Sequence, residues 1–349
     1  MYFHNLTSES TRAILAAMDS LLLPNSHEED EPLDRSLRPG SLSGYVGQGP
    51  VKESLRIAIT AAKQRNEPVD HILLYGPPGL GKTSLAYIVA KEMGGSLRTT
   101  SGPAISKSGD LAAILTGLQP FDILFIDEIH RLNRTVEEML YPAMEEQRLD
   151  IMLGKGPSAR SIRLDLPPFT LVGATTKAGS LSHPLRDRFG LIHRLEYYED
   201  EELAAILDRN SQTLGMPITQ PALLKLAERS RRTPRIANRL LRRIQDYAQV
   251  RNYTTIDIKQ VEEVLEKLQV DHLGLDTIDR HVLTTLYNQF GGGPVGIEAL
   301  AAASGEEAET IEELVEPFLM RLGFLDRTPR GRQLTNKARL HLGFPPETN

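Results

Sequence analysis

The chain has 349 residues, 40% hydrophobic and 25% charged, values that exclude a fibrous or disordered protein and leave room for two or three domains with real cores. Lys plus Arg number 40 against 46 Asp plus Glu, and the resulting net charge of −6, taken over the whole chain, speaks against a nucleic-acid partner. Cysteine is absent, which excludes disulfides, thiolate metal sites and cysteine catalysis and fits a reducing, cytoplasmic setting. No run of eighteen apolar residues and no signal-peptide pattern occurs, so a soluble chain with no membrane association is expected.

Residues 1–36 carry an amphipathic run from Leu6 to Leu23 and then the acidic stretch Pro24 to Pro32, the composition of a flexible tail. From about 50 to 196, short apolar runs at 71–75, 123–126 and 169–173 alternate with helical patterns near 83–93, 109–117 and 135–147. That is the pattern of a parallel α/β sheet with buried strands. One piece interrupts it: 149–166 turns at Gly154-Lys155-Gly156-Pro157-Ser158 and reads as a β-hairpin. Amphipathic helices follow at 201–213, 220–230, 236–250 and 257–268. Helices at 276–289, 297–303 and 307–321, with a hairpin pattern over 323–334, then give the layout of a winged helix. The expected division is a tail (1–36), a large α/β domain (37–198), a helical lid (199–271) and a winged helix (272–349).

Gly76-Pro77-Pro78-Gly79-Leu80-Gly81-Lys82-Thr83 matches the phosphate-loop pattern G-x-x-x-x-G-K-[ST] between a predicted strand and a predicted helix. Its glycines let backbone amides close on phosphate oxygens, Lys82 can reach the β and γ phosphates, and Thr83 can ligate Mg²⁺. Four apolar strand residues then end in Asp127 and Glu128. A carboxylate at the carboxyl end of such a strand suits a metal-linked acid, and its neighbour suits polarisation of an attacking water. The third strand ends in Gly173-Ala174-Thr175-Thr176, where either threonine could sense the γ phosphate, although a packing role is the plainer alternative.

With Leu185-Arg186-Asp187-Arg188-Phe189-Gly190 and Thr233-Pro234-Arg235, these motifs resemble the AAA+ ATPase signature set. The strings Leu97 to Pro103, Asp127 to Leu132, Leu140 to Glu145, Leu166 to Thr176 and Thr233 to Leu241 narrow the resemblance to the RuvB family of Holliday-junction branch-migration motors, over roughly residues 37–344. The resemblance implies an ATP-dependent motor with ATP and Mg²⁺ as cofactors, a homohexameric ring on duplex DNA, and RuvA-type and RuvC-type partners. It implies phosphate and metal contacts from Gly79, Gly81, Lys82, Thr83, Ser84 and Asp127, with Glu128 as the catalytic acid. Leu37, Arg38 and Tyr198 would hold the adenosine part, with Tyr45 to Gln48 nearby. Thr176 or Thr175 would be the first sensor and Arg235 the second. Arg188 would be an arginine finger reaching a neighbouring subunit, with Glu145, Glu146 and Gln147 in the same interface. Ile151, Met152 and Leu153 of the hairpin would dock the RuvA-type partner, a hairpin packed on its own domain being the alternative.

The local charge distribution reopens the nucleic-acid question. Residues 298–316 hold seven Glu and no Lys or Arg, whereas 317–342 hold Arg321, Arg327, Arg330, Arg332, Lys337 and Arg339 against Asp326. Arg327, Arg330 and Arg332 on the wing are the expected contacts to DNA phosphates, Arg327 and Arg332 before Arg330, and such contacts carry no base specificity. The arginines of 229–251 fall on several helical faces and suit lid and subunit contacts instead. Two other readings share these motifs: a clamp-loader-like ATPase, and a DNA-binding regulator that uses ATP as an assembly switch.

Overall fold

The computed structural model describes residues 37–153 and 160–347. The expected tail (1–36) lies outside the described residues, as do the hairpin tip and the side chains of Ile151, Met152 and Leu153. Contacts divide the chain into two units, residues 38–198 and residues from 199 onward together with Leu37.

In the first unit, α1 (Gly49–Arg65), β1 (Ile72–Tyr75), α2 (Lys82–Met93), β2 (Leu97–Ser101), α3 (Ser108–Thr116), β3 (Ile123–Asp127) and α4 (Arg134–Glu145) are followed by the hairpin β4 (Arg148–Leu153) and β5 (Arg160–Asp165). Then come β6 (Thr170–Thr175), α5 (His183–Arg186) and β7 (Leu191–Arg194). Five strands form one parallel sheet in the order β2-β3-β6-β1-β7. The three expected strands are its centre, apolar because helices cover both faces. The two edge strands, β2 (Leu-Arg-Thr-Thr-Ser) and β7 (Leu-Ile-His-Arg), are half-buried or exposed at every position, so their sequences lack an apolar run. Leu111, Leu115, Leu124, Ile126, Leu140 and Leu171 belong to one buried cluster against the sheet, each contributing about 1.5–3 kcal/mol by leaving water. His71 ties this layer together: its Nδ1 accepts the Leu171 amide at 2.9 Å, and Nε2 lies 3.1 Å from the Met144 carbonyl near the end of α4. Burial lowers the His71 pKa, so the neutral ring that accepts on Nδ1 and donates from Nε2 is the favoured form.

The second unit begins with four lid helices, α6 (Asp200–Thr213), α7 (Gln220–Glu228), α8 (Pro234–Arg251) and α9 (Ile258–Lys267). Thr233 and Pro234 open α8 with proline in its first turn, where a missing amide costs nothing. The winged helix comprises α10 (Thr277–Phe290), α11 (Ile297–Ser304), the consecutive α12 (Ala308–Thr310), a π-helical stretch (Ile311–Val315) and α13 (Glu316–Arg321), then β8 (Leu325–Thr328), β9 (Gly331–Leu334) and α14 (Asn336–His341). The single helix expected over 307–321 is therefore widened by a π segment; Pro317, which has no amide to donate, lies two residues beyond it. The helix α14, capped by the Thr335 hydroxyl, is an addition to the sequence expectation. Val295 bridges Arg332 as a third rung beside the β8–β9 wing.

One arginine joins lid and winged helix. Asp276 and Asp279 cap the start of α10 reciprocally, and both carboxylates also meet Arg231, at 2.5 and 2.7 Å. Arg231 stacks on Phe318, and its carbonyl accepts from Arg321. Arg231 and Arg232 both adopt positive φ (52° and 57°) in the turn before α8, a strain of about 1 kcal/mol or more each that the surrounding contacts hold in place.

Candidate functional site

Parallel pairing sets the geometry. Tyr75 is level with Thr175 across β1–β6, and Ile126 with Gly173 across β3–β6, so the phosphate loop, Asp127-Glu128 and Thr175-Thr176 leave the sheet at one level. This is the carboxyl edge, where open α/β sheets bind ligands.

The loop is closely packed. A Cβ on Gly76 (φ +144°) would lie 2.7 Å from the Leu195 carbonyl oxygen, and one on Gly81 (φ +94°) would lie 2.6 Å from the Tyr45 hydroxyl. Tyr45 donates to the Leu80 carbonyl at 3.2 Å, and the Tyr198 hydroxyl lies 3.0 Å from that of Tyr45. Burial raises the Tyr45 pKa well above its ordinary value, so this pin stays protonated. Tyr198 is fully buried with its hydroxyl committed here, which makes it a support of the loop whose hydroxyl is not free for a ligand. Gln48 adds a two-point clamp to the Glu196 backbone, at 2.7 and 3.1 Å.

Gly81 gives α2 no side-chain cap, so the first-turn amides, with Lys82, Thr83 and Ser84 beside Gly79, face outward as an anion cradle. Lys82 is buried, and its Nζ donates to the Gly76 and Pro77 carbonyls at 2.9 and 3.0 Å. The Thr83 hydroxyl and Asp127 carboxylate are hard oxygen donors that fit Mg²⁺.

Glu128 sits in left-handed backbone (φ 47°), which turns the chain from β3 into a short 3₁₀ turn (Ile129–Arg131). Thr176 Oγ1 donates to Glu128 Oε2 at 3.4 Å, and His130 Nδ1 lies 3.2 Å from the same oxygen. His130 Nδ1 is also 2.8 Å from Thr175 Oγ1, which accepts the Lys177 amide. Thr175 is fully buried and committed to these partners, whereas Thr176 is half-buried and faces the carboxylate. His130, two residues beyond Glu128, is the site residue that motif spacing passed over; an imidazole directly after a paired-acid strand end was the available signal.

Arg188 is held on its own domain. Its guanidinium lies 4.1 Å from the Tyr141 ring centroid, bonds the Pro184 carbonyl at 2.6 Å and pairs with Glu145 at 3.2 Å. Its Nε is buried with no hydrogen-bond partner. Glu146 and Gln147 are exposed after α4, and Gln147 has positive φ (53°). In the second unit, Arg235 is exposed on the first turn of α8, and the Leu37 carbonyl accepts from Arg209 of α6. Arg38 is half-buried.

The wing differs from the sequence expectation. Arg332 is buried at 6% exposure and paired with Glu316 and, at 2.7 Å, with Glu312. Its guanidinium neutralises a buried glutamate and is removed from the surface, so it is not a first-choice phosphate contact. Arg327 is exposed but also reaches Glu312 at 3.4 Å. Arg330, at the β8–β9 turn, is exposed.

Residues 37–195 match the family model of the RuvB P-loop domain of the Holliday junction DNA helicase, 198–271 the RuvB AAA lid domain, and 272–343 the RuvB C-terminal winged helix domain. The structure of the Thermotoga maritima RuvB Holliday junction branch migration motor is similar with a TM-score of 0.81 at 48% identity, over 89% of this chain and 100% of that one. The chain belongs to the RuvB family. Lys-to-Arg and Pro-to-Gly variants of Thermotoga maritima RuvB are similar at the same 48% identity with TM-scores of 0.82, covering 89% of this chain and 99% and 100% of theirs. The fold is accordingly that of a RuvB motor: an AAA+ P-loop domain with a parallel sheet, a lid and a winged helix. The P-loop domain is a nucleotide-binding one of the ATPase, helicase-like class. No helix among the described residues is long and apolar enough to cross a membrane.

If His130 positions the Glu128 carboxylate, His130→Ala lowers nucleotide turnover by about tenfold to a hundredfold and leaves nucleotide affinity within about twofold. Steady-state kinetics beside equilibrium nucleotide binding check this. Equal losses in both, or none in either, would count against a positioning role.

Proposed function

We propose that this chain hydrolyses ATP with Mg²⁺ as the subunit of a homohexameric ring on duplex DNA, and drives Holliday-junction branch migration in the cytoplasm with a RuvA-type junction binder and a RuvC-type resolvase. The observation that carries the reading is the meeting of Lys82, Asp127, Glu128 and Thr176 at one sheet edge in a chain of the RuvB family. Loop amides and Lys82 take the phosphates, with Gly79 and Gly81 giving the backbone its close approach and Ser84 extending the cradle. Thr83 and Asp127 hold Mg²⁺, which when bound neutralises phosphate charge. Glu128 accepts a proton from the attacking water while Thr176 and His130 aim it, and Thr176 is the first sensor. Leu37, Arg38 and Tyr198 border the adenosine, Tyr198 by supporting the loop. Arg235 is the second sensor on α8.

Arg188 is the finger of a neighbouring site, and Glu145, Glu146 and Gln147 share that interface. Its orphaned Nε and its single exposed acidic partner support a guanidinium that can be redirected to phosphate. In the known variants of Thermotoga maritima RuvB the substituted lysine, alanine, threonine, arginine and proline have the same order and spacing as Lys82, Ala174, Thr176, Arg188 and Pro234 here. Ile151, Met152 and Leu153 of β4 dock the RuvA-type partner. The division into a large domain (37–198), lid (199–271) and winged helix (272–349) assigns chemistry, state sensing and DNA contact to separate parts. The assembly-switch alternative needs no aimed carboxylate, and the partners of Glu128 count against it.

ATP turnover of two variants, separately and mixed, tests hydrolysis and the finger together. Glu128→Gln alone and Arg188→Ala alone are expected to lose more than about 99% of DNA-stimulated turnover. Mixing restores part of it, because the Glu128 of one variant then meets the Arg188 of the other. Near-normal turnover in Glu128→Gln would remove the hydrolytic role, and a mixture as inactive as its components would remove the finger from the interface.

The wing reaches DNA with Arg330 first and Arg327 second, because Arg332 is sequestered. The π segment and the first turn of α13 offer acids and no cation, which favours the wing as the contact, and contacts to phosphates alone are independent of sequence. Arg330→Ala should weaken duplex binding and reduce the slope of log affinity against log salt by about 1. Arg332→Gln should instead lower the stability of the winged helix; an unchanged salt slope in Arg330→Ala would move the contact elsewhere.

A further inference from the structure

Where the lid ends and the winged helix closes, Asp271, His272 and His341 offer three ligand atoms that all lie within 4.8 Å of one another. We propose that these residues bind one divalent transition-metal ion of the zinc type, cross-linking the lid's last residue, Asp271, and the adjoining His272 to α14. Two imidazoles and one carboxylate form a borderline donor set that suits Zn²⁺ and disfavours Mg²⁺ or Ca²⁺, which require mostly oxygen ligands.

The carboxylate is already oriented. Asp271 Oδ1 accepts the Leu273 and Leu275 amides at 2.9 Å each, which leaves Oδ2 aimed at His341 Nε2, 2.7 Å away. Backbone amides that fix a carboxylate in this way are the outer contacts that metal-ligating acids use. The proton between Oδ2 and Nε2 is what a metal ion would replace, and the two atoms need to open only to roughly 3.3 Å for tetrahedral bonds of about 2.0–2.2 Å. His341 is itself seated: its ring lies 5.0 Å from Phe324 and 5.1 Å from His272, centroid to centroid. His272 is exposed, so its ring can complete the set by side-chain rotation, with a water molecule as the fourth ligand.

The consequence is mechanical. Asp271 and His341 are far apart in sequence, and α14 packs into the winged-helix core through Ala338. The ion would add a second tie to the one that Arg231 makes with Asp276 and Asp279, so that lid and DNA-binding domain move together. This inference is independent of the hydrolytic site, which uses none of these residues.

The test uses the full chain without an affinity tag, stripped with a chelator and kept in excess Mg²⁺. Co²⁺ is added and followed by its visible d–d absorption, then displaced by Zn²⁺. The wild-type chain is expected to bind one Zn²⁺ and to unfold at a higher temperature with it. His272→Ala, at an exposed position, is expected to keep its ATP turnover while its Zn²⁺ affinity falls about tenfold or more and the thermal gain disappears. Asp271→Asn serves as a second variant. Equal Zn²⁺ binding by the wild type and His272→Ala, or no Co²⁺ absorption in the wild type, overturns the proposal.

Discussion

The in-register parallel pairing of β3, β6 and β1 is the constraint on which the rest depends. Because these strands end level with one another, a lysine from the loop after β1, a pair of acids after β3 and a hydroxyl after β6 converge without any of them being near neighbours in sequence. A slip of one register position would turn each strand's side chains to the opposite face and separate Glu128 from Thr176. The buried central strands make such a slip prohibitive, so the core that stabilises the sheet also holds the geometry of the candidate site.

Around that edge, tyrosines and a histidine do what charges cannot. Tyr45 and Tyr198 hold the Leu80 carbonyl from beneath the loop without placing a competing charge against the phosphates. His130 shares one nitrogen between Thr175 and Glu128, and Nδ1 donates to Glu128 only while it carries the proton. The orientation of the Glu128 carboxylate is therefore linked to the tautomer of a neighbour outside the nucleotide-binding motifs.

Much of this architecture was legible in the sequence, and the exceptions share a cause. The central strands, the phosphate loop and the acids are visible because burial and phosphate chemistry restrict residue choice locally. Edge strands β2 and β7, half covered, carry mixed residues and were not visible. Arg332 was misjudged because its partners, Glu312 and Glu316, lie in a preceding helix that a charge count treats as a separate acidic run. Glu312 and Glu316 of the acidic block pair with Arg327 and Arg332 of the basic one, so neither the net charge nor its local segregation reports the surface. The pairing of Arg188 with Glu145 and Tyr141 was hidden for the same reason, since it joins residues on different elements.

The most direct test of the account is migration of a synthetic four-way junction with homologous arms, followed as release of the two duplex products with ATP, Mg²⁺ and a RuvA-type protein. The account predicts product release that requires both ATP and the partner and ceases when a non-hydrolysable ATP analogue replaces ATP. Release at the same rate with the analogue, or none with ATP while the chain hydrolyses ATP on duplex DNA, would contradict it.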